Sequence, residues 1–462
     1  MKDKMILKIV HVTDHFCIRV FKIAYPFICD GHSVHVLTAK DGTGMDFFDS
    51  VWRYEYGSGV GDRKPLRRDQ FLKNIRMISD KIKPDIWHIH NEPDWICDEV
   101  IRLKNRTGKV VWDIHDPDSA RNGYVSFEEL DVIRDVDGIV YVSPEEKEWI
   151  EKVHTGARDK PSAVIYSVYP QSLLIAPKYK NRIPNSVVYE GGISRPGINE
   201  EIMRTGNAEM VGGRLTKKCD MRDLSNLIQA FQMEGFNIHI YGANTAIGAP
   251  SPIADEYRKH GAIAEISQNP YELVAELTRW EWGLVGFPAM MDLFNIAMPN
   301  KLFDYLLAGV VPIVVNASAA GKFVRDNHIG IWYENQNDFF RAGELRKLQD
   351  MDTAEFRKNM LAAITPLLME NQKPRLLKLY EEVIKNGRPR HHGYRSNKRN
   401  ADTRPGDGGS VGSAAISSVP SPCGRRPADT ARVMGLGVLP GTPTGAANTP
   451  LGGKRHNAVP KT

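Results

Sequence analysis

Cysteine is scarce, with five in 462 residues, at Cys17, Cys29, Cys97, Cys219 and Cys423. None falls in a paired spacing, which argues against a disulfide framework or a Cys-rich zinc module and fits a reducing, cytoplasmic setting. Long apolar runs are missing too: nothing approaches the ~18–20 residues a membrane span needs. The opening Met1-Lys-Asp-Lys-Met-Ile-Leu-Lys is broken by Lys8, and no small-residue cleavage site follows. It reads as the start of a buried strand rather than a secretory leader. Glycine is absent where a dinucleotide fingerprint requires it. The first apolar run ends His11-Val-Thr-Asp-His-Phe-Cys17, with nothing small enough for a tight turn against a pyrophosphate, so a nicotinamide dehydrogenase is excluded there.

Charge is unevenly placed. Residues 388–462 hold twelve Lys/Arg against three Asp/Glu, a net of +9, which leaves −4 of the overall +5 for the rest of the chain. The same stretch has twelve Gly, nine Pro and no apolar periodicity. Such a composition buries too little surface to offset ordering entropy, and predicts a disordered basic tail over 387–462. The mildly acidic body gives no reason to expect a nucleic-acid partner.

Between residue 5 and about 386, short Val/Ile-rich runs alternate with amphipathic segments. Strands are predicted at 5–12, 33–38, 85–90, 109–115, 138–143 and 163–168, and again at 186–190, 237–241, 262–266, 282–287, 310–315 and 330–333. Their nearly unbroken apolar character suits strands covered on both faces. Phe71, Ile75, Ile78 and Ile82 form one helical stripe. Ser126-Phe-Glu-Glu129 has capping-box spacing, and Ser143-Pro144 supplies an N-cap with proline behind it. The fold class is α/β, in two doubly wound domains: 1–170, then a hinge over 171–185, then 186–386. Further helices are expected at about 221–234, 270–279, 300–308, 354–368 and 373–385. Residues 194–218 break the alternation and read as a loop insertion. Tandem halves leave a cleft, and ligands in such sheets bind beyond the carboxyl ends of the strands.

Several groups sit at those ends. His88-Ile-His90 and Asp113-Ile-His115 place His88 with His90, and Asp113 with His115, on common strand faces. A zinc site is one reading and a hydrogen-bonded core network the other; zinc spacing elsewhere is lacking, so no metal site is expected. Asp116-Pro-Asp118 spells a chelating Asp-x-Asp, but a triplet this short arises readily by chance. His115, at a strand mouth, is a candidate substrate-contacting or proton-handling group.

In the second half, Pro299-Asn-Lys-Leu-Phe-Asp-Tyr-Leu-Leu-Ala-Gly309-Val-Val-Pro312 joins a helix start, a glycine stop and a strand. Leu302, Phe303, Leu306 and Leu307 form its apolar stripe, with Lys301 and Asp304 together on the other face. A helix N-terminus carrying Asn300 and Lys301 is suited to phosphate, and a carboxylate one turn in to the hydroxyls of a ribose. The competing reading is a surface ion pair. Gly191 and Gly192, followed by Arg195, form a second anion candidate, Val211-Gly-Gly213-Arg214 through Lys218 a third. Tyr241-Gly242-Ala-Asn244 closes the next strand similarly.

Together these segments resemble the glycosyltransferases of the GT-B architecture, nearest the large family-four group that uses nucleotide sugars. The likeness covers roughly residues 5–386. Its most specific part is the 299–312 segment, similar to the family's Pro-x-Lys-Leu-Phe-Glu-Tyr-Leu-Ala-Ala-Gly-x-Pro. The Gly31-His32-Ser-Val34 turn, the Asp85–His90 strand and Val188-Tyr-Glu-Gly-Gly192 add support. The resemblance implies a nucleotide-sugar donor held by the second domain and a glycan or lipid-linked acceptor on the first. It assigns Asp304 to the ribose, Asn300 and Lys301 to the diphosphate, and His115 to the sugar. It implies hexosyl transfer in cell-surface polysaccharide biosynthesis, without cofactor or metal, at the cytoplasmic face of a membrane with peripheral association. The sequence departs from the family pattern at Ile296, where a second Glu is common, and at Thr13–Cys17, where a glycine-rich loop is usual. Alternatives sharing the architecture are a sugar-nucleotide 2-epimerase and a non-catalytic homologue that binds a nucleotide sugar or a partner enzyme.

Overall fold

The computed structural model describes residues 5–55, 64–90, 94–103, 106–205, 210–211, 214–215, 222–242, 247–286 and 292–386. The predicted tail, 387–462, lies outside these residues.

Two parallel sheets organise the chain. The first contains β1 (Lys8–Val12), β2 (Ser33–Thr38), β3 (Ser50–Arg53), β4 (Ile86–His90), β5 (Lys109–Asp113), β6 (Gly138–Tyr141) and β7 (Ser162–Val164), in the order β3-β2-β1-β4-β5-β6-β7. Alternate residues of one strand serve opposite cores. Ile9 packs with Phe21 and Phe27 of the Ile18–Cys29 helix. Val10 and Val12 pack with Phe71, Ile75 and Ile78 on the other face. Both faces being covered explains why the strands read as continuous apolar runs. The two predicted caps form: Ser126 Oγ accepts from Glu129 N at 3.0 Å, and Ser143 Oγ from Glu146 N at 2.9 Å.

The second half begins with β8 (Ile183–Gly191), followed by the short pair β9 (Met210–Val211) and β10 (Arg214–Leu215). Then come β11 (Asn237–Gly242), β12 (Ile263–Ala264), β13 (Trp280–Gly286), β14 (Val311–Val315) and β15 (Ile331–Tyr333). Its main sheet runs β12-β11-β8-β13-β14-β15. Strand order reverses at β1/β4 and at β8/β13, which are the switch points where ligands bind in open parallel sheets.

Three expectations change. β3, an edge strand with no buried residue, escaped notice because it lacks an apolar run. The 194–218 stretch is not all loop: it contains an Ile198–Thr205 helix and the antiparallel β9–β10 pair. The closing helix, expected to complete the second domain, spans Met369–Lys385 and packs on the first sheet. There Leu376, Leu379, Tyr380 and Val383 bury against Phe27, Val111, Val140 and Ala163. Gln372 fastens it by exchanging two bonds with the Tyr166 backbone, at 2.7 and 3.0 Å. The chain therefore crosses between domains twice.

Candidate active site

At the end of β8, Gly191 adopts φ +116°, a conformation that L side chains avoid. A Cβ there would lie 3.4 Å from Lys301 Nζ, and one on Gly192 would lie 2.6 Å from Arg222 Nη1. The two glycines thus leave room that two cationic side chains enter. The Asn300–Ala308 helix starts behind Pro299 without a side-chain cap, so its first N–H groups are not taken by a cap. It ends on Gly309 at φ +67°, as the sequence pattern predicts. Tyr305 ties it to the sheet, its OH accepting from Glu190 N at 3.1 Å and donating to Val188 O at 3.2 Å.

Lys301 and Asp304 do share a face, but that face is not open to solvent: they are only 8% and 7% exposed. Lys301 Nζ sits 3.7 Å over the Tyr189 ring. Burial lowers its pKa to about 7, with Glu190 opposing the shift and Arg222 adding to it. Asp304 is met from the first domain. Lys22, fully buried on the Ile18–Cys29 helix, places Nζ 3.2 Å from Asp304 Oδ1, 3.1 Å from Ser167 O and 3.9 Å from the centre of the Tyr169 ring. On its other side Asp304 adjoins the Glu190 carboxyl. Burial, then the Asp304 charge, pushes Glu190 well above the carboxylate range. Two desolvated carboxyl groups in contact cannot both stay ionised.

Across the cleft, β5 leads into His115 and Asp116. Burial lowers His115 to about 4, against the pull of Asp113, so it is neutral at physiological pH. Burial raises Asp116 to about 7, opposed by Arg222 of the other domain; Arg121 stands 2.8 Å away. Behind them is a buried network. Arg19 donates to both oxygens of Asp113, at 2.7 and 2.9 Å. His88 Nε2 and His90 Nδ1 lie 3.2 and 3.0 Å from Asp113 Oδ2. His88 Nδ1 meets Tyr380 OH at 2.6 Å, and His90 Nε2 meets His11 Nδ1 at 3.0 Å. The histidines that the sequence offered as metal ligands are thus engaged by protein groups, although those of His11, His88 and His90 lie within 4.8 Å of one another.

Two expected donor residues lie elsewhere in role. Arg195 is half exposed and ion-paired with Glu201; Arg222 stands at Gly192 instead. Gly242 is a packing glycine, since a Cβ there would come 2.4 Å from the Ser251 side chain. Asn300 opens its helix with Oδ1 buried and accepting no hydrogen bond among the described residues. Ile296, at the family's second acid position, is part of an apolar contact between domains with Ala120 and Leu293. Its carbonyl accepts from Ser143 Oγ at 2.5 Å. Residues 212–213, 216–218 and Asn244 of the other glycine candidates fall outside the described residues. Sequence reasoning missed Lys22, Glu190 and Arg222. The first two carried a signal, a charge inside Val20-Phe-Lys-Ile-Ala24 and an acid ending the Val-Val-Tyr run; Arg222 carried none.

Residues 28–168 match the model of Glycosyltransferase Family 4. Among solved structures, a sucrose-phosphate synthase from Thermosynechococcus elongatus is 13% identical, with 82% of this chain and 99% of that chain covered at a TM-score of 0.60. A glycosyltransferase from Rickettsia africae is 15% identical over 82% and 99%, at 0.50. HepE from Anabaena, solved with UDP and glucose, is 12% identical over 82% and 98%, also at 0.50. No curated protein matches the sequence. The fold is GT-B, two parallel-sheet domains across a cleft. With the first domain matching Glycosyltransferase Family 4, the protein is a glycosyltransferase.

Proposed function

We propose that this enzyme transfers a hexosyl unit from a nucleotide sugar to a hydroxyl of a glycan or lipid-linked acceptor, in the cytoplasm, in the assembly of a cell-surface polysaccharide. The observation that carries this reading is the glycine pair at the end of β8, met by Lys301 and Arg222 beside the start of the Asn300–Ala308 helix. Two cations, close backbone and a helix N-terminus are the elements that hold a diphosphate. Glycosyl transfer leaves negative charge on that diphosphate and positive charge on the anomeric carbon. Lys301, Arg222 and the helix N–H groups stabilise the leaving group by charge already in place. No step in this scheme calls on a bound metal, since protein cations neutralise the phosphates.

Arg222 alters the ionisation of Asp116 on the opposite domain, which supports a single cleft with the donor on one wall and the acceptor on the other. His115, neutral and half-buried, would contact the transferred sugar as a hydrogen-bond partner. Retention of anomeric configuration is the stereochemistry the family likeness implies. Tighter approach of the domains around both substrates would keep out water, the competing nucleophile.

The test is titration calorimetry with UDP, GDP and ADP on wild type, Lys301→Ala and Arg222→Ala. One nucleotide should bind, and each variant should lose tenfold or more in affinity with an unchanged melting midpoint. Wild-type affinity in both variants would move the diphosphate elsewhere. A nucleotide sugar returned epimerised rather than cleaved would replace transfer with the epimerase reading.

A further inference from the structure

Lys22 has no part in the diphosphate site, yet it is fully buried and reaches into the second domain. Among the described residues it is ion-paired with Asp304 alone, and Asp304 with it alone, at 3.2 Å. Its other contacts come from the chain just before the hinge, the Ser167 carbonyl at 3.1 Å and the face of the Tyr169 ring at 3.9 Å. The neighbouring packing belongs to the same contact. Phe21 meets Tyr271 with ring centres 5.6 Å apart, and Tyr169 OH donates to the Pro270 carbonyl at 3.1 Å. Phe21 and Lys22 thus cover Asp304 and the start of the Pro270–Leu277 helix, and Asp304 is left 7% exposed.

A ligand hydroxyl that bonds to Asp304 has to take the place of the ammonium. An ammonium left buried without its counter-charge is costly, so Lys22 must leave with the helix that carries it. The sequence builds a weak turn into that helix. Pro26 lies inside Ile18–Cys29, and it has no N–H to offer the carbonyl four residues back, which is that of Lys22. The helix also starts at Cys17 without a side-chain cap.

Building on the nucleotide-sugar reading, in which Asp304 serves the ribose, we propose that the Lys22–Asp304 ion pair is an autoinhibitory contact: the first domain holds the donor site shut, and a nucleotide binds by displacing Lys22 from Asp304. Donor entry opens this contact before the domains close around both substrates. Wild-type affinity is reduced by the fraction of molecules in which the pair is open, so removing the pair raises it.

The experiment has two arms, both on the full chain. In the first, UDP, GDP and ADP are titrated by calorimetry into wild type and Lys22→Met, which keeps an apolar stem and loses the charge. The variant binds the preferred nucleotide about tenfold more tightly. In the second, wild type is treated with acetic anhydride with and without saturating nucleotide, and acetylation of Lys22 is read by mass spectrometry. Lys22 is protected in the free protein and reactive in the nucleotide complex.

A folded Lys22→Met that binds as wild type does, or more weakly, overturns the proposal and leaves the nucleotide site standing. A Lys22 that stays protected while nucleotide is bound also overturns it, and this arm decides should the variant not fold. A wild type that binds no nucleotide beside a variant that binds one supports it. If neither binds, the nucleotide-sugar reading itself falls, and this inference with it.

Discussion

Lys301 shows how a residue can be found by spacing while its state cannot. The i, i+3 relation to Asp304 was legible in the sequence, as was the helix N-terminus beside it. Its burial against Tyr189 and Gly191 was not, and burial sets its pKa near 7. The sign has a consequence. Lys301 is an ammonium below that value and an amine above it, so affinity for a nucleoside diphosphate should fall as pH rises from 6.5 to 8.5. Calorimetry across that range checks this, and a flat profile would mean the ammonium does not contact the ligand. Lys22 belongs to the same scale. Its ion pair with Asp304 joins residues 282 apart in sequence, and no periodicity links them. Removing one member of a buried pair strands the other, at a cost of about 3–5 kcal/mol. Lys22→Met should destabilise by that order, and Lys22→Met with Asp304→Asn should recover most of it. Urea unfolding of the single and double variants measures the coupling; additive losses would show that the pair contributes nothing.

Among elements, strands and caps were the most readable. Continuous Val/Ile runs follow directly from helices on both faces of a sheet, as Ile9 and Val10 show by pointing into different cores. Caps are readable because the donor and acceptor lie three residues apart. Ser126→Ala should cost about 1 kcal/mol, the ordinary loss of an N-cap. Ser143→Ala should cost more, because Ser143 also donates to the Ile296 carbonyl of the other domain, and an orphaned buried carbonyl adds about 1–3 kcal/mol. Equal losses in thermal or urea unfolding would show that this interdomain bond carries no weight. The destination of an element was less readable than its existence. The Met369–Lys385 helix has a plain apolar stripe, yet a stripe states only that something covers it. It does not say which of two similar sheets does. Edge strand β3 was lost for the opposite reason, being too little buried to leave a pattern.

At the scale of the molecule, two domains meet through polar and apolar contacts at separate places: Lys22 with Asp304, and Ile296 and Leu293 with Ala120. The first domain also carries buried neutral histidines. Burial holds His11 well below its ordinary value, His90 near 3 and His115 near 4. An unfolded chain takes up protons at these groups from about pH 6.5 downward while the folded one does not, so the histidines destabilise the fold as pH drops from 6.5 towards 4, whereas the buried carboxyls of Asp116 and Glu190, raised in the fold, act in the opposite direction. The thermal midpoint of wild type relative to His115→Gln should fall through that range; a constant difference would mean that His115 takes up its proton without loosening the fold.

The central claim is a nucleotide site on the second domain, facing the first. A thermal-shift panel against UDP, GDP, ADP and their sugar conjugates tests it most directly. Binding to the native state alone at a hundredfold excess over Kd stabilises by about 2.7 kcal/mol. One nucleotide and its conjugate should therefore raise the midpoint by several degrees, and Lys301→Ala should cut the rise by about half or more. A cooperatively melting protein that none of these ligands shifts would contradict the account.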